Sequence, residues 1–336
     1  MPRATINDVA TAANVSTATV SRVLNGHKVT SSTSDRVWAA VGTLDYTPNA
    51  LTRGVFAGRS NTIGVIIRDL NSPFYLELMR GIDKVATHDR SLVMFANTFN
   101  QIEREAAHVQ TMDEQRVRGL ILTTGPSTDD RTKHFAERGT PCVIVARKAP
   151  DLVPNLHSIA LDNHEAGRLI ATHLIECGKK SIGVLHGGSR TSQSERIDGL
   201  RETLAEYDLT LHDDVVHVAE SGNDVSVALD EIFTNARAVG RPIDTIVCLT
   251  GLLTTRTYEV LNERGCHIPE DIALIAMDDF PWAKTLGITV VAQPSFDMGV
   301  EAATLITNGN DHPQHIVKNP RLVVRQSCGE SEEPTE

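Results

Sequence analysis

The sequence predicts a mixed α/β protein, a small helical head followed by two lobes built on doubly wound parallel sheets. Three observations carry this. Residues 5–25, TINDVATAANVSTATVSRVLN, hold two short amphipathic periods separated by a break. From Ile63 onward short apolar runs alternate with helical stretches, and several helices end in glycine just before the next run. Charge is divided unevenly: residues 1–60 hold six Lys/Arg against three Asp, in a chain of formal net charge -11. A basic head on an acidic body suits a protein whose head touches phosphate while its body does not.

In the first period Ile6, Val9, Ala10 and Ala13 recur at i, i+3, i+4 and i+7, one face of a helix. Asn14-Val15 interrupts it, and Ser16 is a good N-cap for a second helix. There Val20, Val23 and Leu24 turn inward, leaving Thr17, Ala18, Ser21, Arg22 and Asn25 outside. Two short helices, a tight turn and a small polar face with one arginine are the anatomy of a helix-turn-helix. Short side chains at the start of the second helix let its backbone lie deep in a major groove. Arg22 then reaches guanine O6 and N7, while Ser21 and Thr5 donate to phosphates. A loop from Gly26 to Ser32 precedes a third helix with Val37, Ala40, Val41 and Leu44 as its inner stripe.

VSTATVSRVLN, with TINDVA upstream and the later run Tyr46-Thr47-Pro48-Asn49, resembles the lactose-repressor/galactose-repressor family of bacterial transcription regulators. The chain departs from the family at Thr33-Ser34, where Thr-Arg is usual, and at Asp45, where glycine precedes the tyrosine. The resemblance implies a DNA-binding head over 1–47, with Ser16 and Asn49 among its contacts, and a linker over 48–60. In relatives that linker is a hinge helix entering the minor groove, where a leucine wedges the bases apart. Val55 takes the place of that leucine and Gly54 lowers helix propensity beside it, so a plain flexible linker stays open as the alternative.

The core expected over 61–328 reads strand by strand. IGVII (63–67), LVMFA (92–96), GLILT (119–123), CVIVA (142–146) and SIALD (158–162) are strands of one lobe. SIGVLH (181–186), TIVCL (245–249) and DIALIAM (271–277) continue the series in the other. Ser72-Pro73 starts a helix with Leu78, Ile82 and Val85 inside, and Arg138-Gly139, Cys177-Gly178 and Arg264-Gly265 end helices. The resemblance makes this a type I periplasmic-binding-protein-like core. Its N-lobe spans about 61–160 and 293–318, its C-lobe about 163–290 and 321–328, and a disordered tail follows over 329–336.

Ligands of open α/β sheets bind beyond the carboxyl ends of the strands. Ser72 and Phe74 follow the first strand, Thr124 the third, Arg147 the fourth and Asp162 the fifth. Arg190 and Arg196 follow SIGVLH, Thr250 follows TIVCL, Asp278 follows DIALIAM and Gln293 follows TVVA. The resemblance makes these the effector site, with Arg196 of Arg-x-x-Gly as main charge partner. Sugar-binding relatives carry Asn-Asp where this chain has Thr250-Gly251. Losing that carboxylate while three arginines remain suits an acidic ligand, held through bidentate pairing. DDFPWA and VVAQPSFDMG resemble a subgroup responding to sugar acids, ribose or nucleosides, so a neutral pentose or nucleoside effector stays open. So does a structural use of the arginines in interlobe or surface salt bridges.

With 336 residues, 40% hydrophobic and 22% charged, the chain suits a globular protein of two or three domains. No apolar stretch is long enough to span a bilayer, and MPRATINDVA lacks the apolar region of a signal peptide, so the cytoplasm is expected. Five cysteines without CxxC spacing read as reduced thiols, mostly buried. No metal cluster, cofactor or catalytic constellation is legible. His186-Gly187-Gly188-Ser189 lacks a GxSxG partner, and Asp278-Asp279 is a carboxylate pair without further machinery. The expected partners are a pseudo-palindromic DNA operator, a small effector and a second copy of the chain in a homodimer, possibly a tetramer. The rivals are a solute-binding protein of a transport system and a carbohydrate enzyme with an accessory helix-turn-helix.

Overall fold

A computed structural model describes residues 4–24, 27–46, 60–123, 125–150, 153–188, 191–219, 224–309 and 311–329. The chain divides into two compact units, Met1–Asn61 and Thr62–Glu336. Asn25, Asn49, Val55, Thr124, Arg190, the hinge-helix segment and the tail beyond Gly329 lie outside the described residues.

The first unit is α1 (Ile6–Ala13), α2 (Thr17–Leu24) and α3 (Ser31–Thr43) around one small core. Thr5 and Asp8 form a capping box at the start of α1: the Thr5 hydroxyl accepts from Asp8 N, and the Asp8 carboxylate accepts from Thr5 N. Asn14, at φ 48°, turns the chain in the left-handed region, and the Ser16 hydroxyl then accepts from Thr19 N at 3.2 Å to start α2. Val9, Val20 and Val37 are fully buried, with Ala10, Ala13, Val23, Ala40 and Tyr46 around them. The loop is shorter than the sequence suggests, because α3 begins at Ser31 with Thr30 as N-cap. Ser31 and Ser32 present no breaker and join the first turn. Asp45, standing where glycine is usual, takes φ 47°, a left-handed conformation that Asp adopts more readily than most side chains.

The second unit holds two sheets with the same strand plan. The N-lobe begins with β1 (Thr62–Ile67), α4 (Pro73–His88), β2 (Leu92–Asn97) and α5 (Ile102–Glu114). It continues with β3 (Gly119–Leu122), α6 (Asp129–Glu137), β4 (Cys142–Val145) and β5 (Leu156–Leu161). The C-lobe opens with α7 (Asn163–Glu176), β6 (Ile182–His186), α8 (Thr191–Glu206), β7 (Val216–Val218) and α9 (Asp224–Ala238). β8 (Thr245–Cys248), α10 (Gly251–Glu263), β9 (Ala273–Met277), α11 (Pro281–Thr285) and β10 (Thr289–Ala292) complete that run. The chain returns to the N-lobe through α12 (Ser295–Asn308) and β11 (His315–Lys318), then adds β12 (Arg321–Val323) to the C-lobe.

The strand orders are β11-β5-β4-β3-β1-β2 and β12-β10-β9-β8-β6-β7, parallel except where β12 pairs antiparallel with β10. The chain therefore passes between lobes after β5, after β10 and between β11 and β12. The central strands β1, β3, β4, β5 and β8 to β10 are buried almost throughout, as expected of strands covered by helices on both faces. β2 is an edge strand, leaving Leu92 and Phe95 exposed. β7, β11 and β12 have only three or four residues each and are half-exposed, so no apolar run announces them.

In each lobe two helices cross at glycines. A Cβ on Gly167 of α7 would stand 2.0 Å from the Arg196 carbonyl, and one on Gly81 of α4 would stand 2.1 Å from the Phe296 carbonyl. The reciprocal partners are Gly199 in α8 and Gly299 in α12. Cys142, Cys248 and Cys328 are buried and Cys177 and Cys266 partly so. Burial pushes the Cys248 and Cys328 thiols up to about 12, which keeps them protonated and inert.

Candidate functional site

On the head, Thr17, Ala18 and Arg22 of α2 are exposed and Ser21 is half-buried. The exposed residues are small at the helix start, with one long cation in the last turn. This geometry admits close backbone approach with one reaching guanidinium. Arg22 makes no ion pair among the described residues. Thr5 and Ser16 serve as caps: the Thr5 hydroxyl donates to Asp8 Oδ2 at 2.7 Å, so its proton is already engaged within the chain.

In the second unit the carboxyl ends of strands from both lobes face a cavity of about 270 Å³, close to the small end of ligand sites, about 300 Å³. Ser72, Phe74 and Arg147 line it from the N-lobe, Arg196, Thr250 and Asp278 from the C-lobe, and Gln293 from the crossover after β10. Asp162 does not belong there. Its carboxylate accepts from Glu165 N at 2.9 Å as N-cap of α7, because the strand-end position is also a helix start. Phe74 and Tyr75 meet edge to face at 5.1 Å on the cavity wall, offering an apolar surface to the C–H face of a ring.

The C-lobe wall is a closed hydrogen-bond network. Arg196 is buried; Nε donates to Asn163 Oδ1 at 3.0 Å, Nη1 to the Leu249 carbonyl at 2.7 Å and Nη2 to Gln293 Oε1 at 3.5 Å. Burial pushes its guanidinium down, while Asp278 and Glu195 favour the charge. Gln293 Nε2 donates to Asp278 Oδ1 at 2.6 Å, and Gly251 N donates to Oδ2 at 3.3 Å. Burial pushes the Asp278 carboxyl up, opposed by Arg196 and these two donors. Arg196 is thus compensated within the wall, rather than standing as an unmatched charge. Asp278 itself sits at φ 73° just after β9, and Ala146, after the equivalent β4, sits at φ 70°. Left-handed backbone at both mouths of the cavity is strain of the kind that collects at ligand sites.

On the N-lobe wall Arg147 is both a lining residue and a salt-bridge residue. It pairs with Asp129 through both nitrogens and donates Nη2 to the Gly125 carbonyl at 3.2 Å. Arg147 is thus used structurally, though in a part-buried pair within the N-lobe and not in an interlobe or surface salt bridge, and it stays on the cavity wall. Arg68, Asp69, Tyr75, Asn100 and Gln193 also line the cavity and were not singled out by sequence. Arg68 and Asp69 directly follow β1, so the strand-end rule reaches them. Ser72 and Phe74, three residues and more beyond Asp69, lie further along the same loop and the start of α4.

His186-Gly187-Gly188 is a strand-end turn in which His186 Nδ1 meets the Gly188 carbonyl at 3.2 Å. Gln193 Oε1 accepts from Gly187 N at 2.6 Å, so the turn's donor is engaged with the chain itself. Among the described residues there is no cluster of metal-binding side chains, and no helix is long and apolar enough to cross a membrane.

A DNA-reading helix pair and a two-lobed ligand cleft together define a ligand-responsive DNA-binding protein. Residues 5–49 match the family described as "Bacterial regulatory proteins, lacI family". Residues 60–324 match "Periplasmic binding proteins and sugar binding domain of LacI family". The chain belongs to the LacI family and is a non-enzymatic, DNA-binding transcription regulator. It is 26% identical over 338 residues to the HTH-type transcriptional repressor PurR of Haemophilus influenzae (strain PittEE), covering 96% of this chain and 98% of that one. The ribose operon repressor of Haemophilus influenzae is 29% identical over 333 residues, with the same shares. A solved complex of the transcriptional regulator CelR with cellobiose is 26% identical with a TM-score of 0.69, covering 97% of this chain and 100% of that one. The match over the head disfavours a solute-binding protein of a transport system.

Proposed function

We propose that the protein is a cytoplasmic repressor whose operator affinity is set by a small polyhydroxylated effector bound between the lobes of the core. The observation that carries this reading is a cavity whose polar wall comes from both lobes, since a ligand touching both favours one lobe arrangement over another. Only that differential affinity can shift a regulator between states. Residues 1–47 serve as the DNA-binding head, 48–60 as linker and 61–328 as effector core. Thr17, Ala18 and Arg22 read the major groove, and Thr5, Ser16 and Ser21 lie toward the phosphates.

The functional unit is a homodimer, so the operator is pseudo-palindromic. Exposed apolar side chains along α4 and β2, among them Leu76, Leu92 and Phe95, supply surface for such pairing. The effector is of the sugar or sugar-acid class. The names of the relatives support it: one structure holds cellobiose and one relative governs a ribose operon.

Selecting duplexes from a random pool with the full chain tests the DNA side of this reading. The expected product is a two-fold sequence. On it Arg22→Ala costs on the order of 1–3 kcal/mol and relaxes one guanine per half-site. Equal loss on selected and random DNA would reduce Arg22 to a phosphate contact and contradict the reading.

A further inference from the structure

Three arginines among the described residues line the cavity, and their circumstances differ. Arg196 donates to three acceptors, with Asp278 supporting its charge. Arg147 is held by Asp129. Arg68, the first residue after β1, has a buried Nε without a hydrogen-bond partner and makes no ion pair among the described residues. Its neighbour Asp69 makes no ion pair with it among the described residues; Asp69 Oδ1 accepts instead from both Asn71 N and Asn71 Nδ2 at 3.0 Å.

Arg68 also stands beside Arg147. Arg68 Nη2 lies 3.5 Å from where a Cβ on Gly125 would be, and the Gly125 carbonyl accepts from Arg147. Two guanidinium groups thus flank Gly125, and of the two Arg147 has a paired carboxylate, Asp129. The backbone of Arg68 is held in place, its carbonyl accepting from Asn100 N at 3.2 Å. Arg68 as a whole is half-buried, but its buried Nε, left unpaired, is disfavoured. A planar fork in a recess matches a carboxylate better than any neutral group. Close by, the N-cap Ser72 of α4 makes no side-chain cap bond, and Ser72, Phe74 and Tyr75 line the cavity.

We infer that Arg68 is the specificity-determining residue of the effector site and that it selects a polyhydroxy monocarboxylate, a sugar acid, over neutral sugars. This rests on the effector reading above. The carboxylate meets Arg68 at the N-lobe wall, and the hydroxyls meet Asp278, Gln293 and the free oxygen of Asp69. A single carboxylate suits the site better than a phosphate dianion, since Asp69, next to Arg68 in the chain, adds a negative charge to the same wall.

The test uses the purified full chain, wild type, Arg68→Met and Arg68→Lys, titrated calorimetrically with gluconate, glucuronate, glucose, ribose and glucose 6-phosphate. The expected result is that wild type prefers an acid over the neutral sugars and that Arg68→Met reduces this preference at least about tenfold. Arg68→Lys keeps part of it. Thermal unfolding without ligand separates selection from structure: Arg68→Met should melt no lower than wild type, because the native side chain has no partner to lose. A lower melting temperature without a change in preference overturns the proposal. So does tighter binding of ribose or glucose than of either acid, or of glucose 6-phosphate, and these outcomes leave the effector reading standing. Failure of every probe, acid and neutral, to bind wild type overturns both.

Discussion

The two lobes share one strand plan but build opposite kinds of wall. In the C-lobe, Arg196, Asn163, Gln293, Asp278 and Gly251 N form a chain of hydrogen bonds that is complete without a ligand. In the N-lobe, Arg147 is satisfied by Asp129, while Arg68 next to it is not. The comparison teaches that an arginine in a cleft says little until its partners are known. A compensated arginine presents a rigid donor, whereas an uncompensated one presents unmet charge, and only the second selects strongly for an anion.

The largest effects should come from the helix crossings that hold the walls. Gly167→Ala drives a Cβ to 2.0 Å from the Arg196 carbonyl and Gly81→Ala drives one to 2.1 Å from the Phe296 carbonyl. Backbone must move in both, so each should destabilise the core by about 1–3 kcal/mol or more in chemical denaturation. Their ligand effects should differ. Gly167→Ala displaces the backbone of Arg196 itself and should impair binding at least as much as stability. Gly81→Ala touches no lining arginine and should spare binding in whatever fraction stays folded. Equal binding loss in both would erase the distinction between the walls.

A smaller effect is expected from Asp129→Asn. It keeps a hydrogen-bonding partner for Arg147 but removes the negative charge, so the N-lobe wall gains a second uncompensated cation. Affinity for gluconate or glucuronate should rise a few-fold, on the order of 1 kcal/mol or less for this partly exposed pair. The rise should diminish with added salt. A fall in acid affinity would mean that the Arg147–Asp129 pair matters to the site through its shape and not its charge.

Much of this architecture was legible in the sequence because buried parallel strands read as unbroken apolar runs. Helix ends announce themselves too: Gly139 and Gly178 take φ of 80° and 70° immediately after their helices. The cap at Ser16 is local chemistry and was equally readable, whereas Thr5, expected at a phosphate, caps α1. Strands β7, β11 and β12 were not, since they are short, half-exposed and recruited by pairing at sheet edges. Within the cavity, position was legible but partnership was not. Asp162 stands at a strand end like its neighbours, yet it caps α7. Arg147 meets Asp129 from another element, and nothing local in the sequence marks that pairing. Arg68 could have been found by the strand-end rule, but its missing partner is a property of the folded surroundings alone.

The central claim is that occupancy of the cleft controls DNA binding. It is tested most directly by titrating gluconate, glucuronate, glucose and ribose into the complex of full-length protein with its selected operator, followed by fluorescence anisotropy. Wild type should lose at least about tenfold in operator affinity with one of these ligands, a coupling of roughly 1.4 kcal/mol. Arg196→Lys keeps a cation near Asp278 but not the fork to Asn163 and the Leu249 carbonyl. Scaled to its own ligand-free operator affinity, it should need at least about tenfold more ligand for the same response. If Arg196→Lys responds at the wild-type concentration, or if the bound ligand leaves operator affinity unchanged, the cleft does not control the head and the account is wrong.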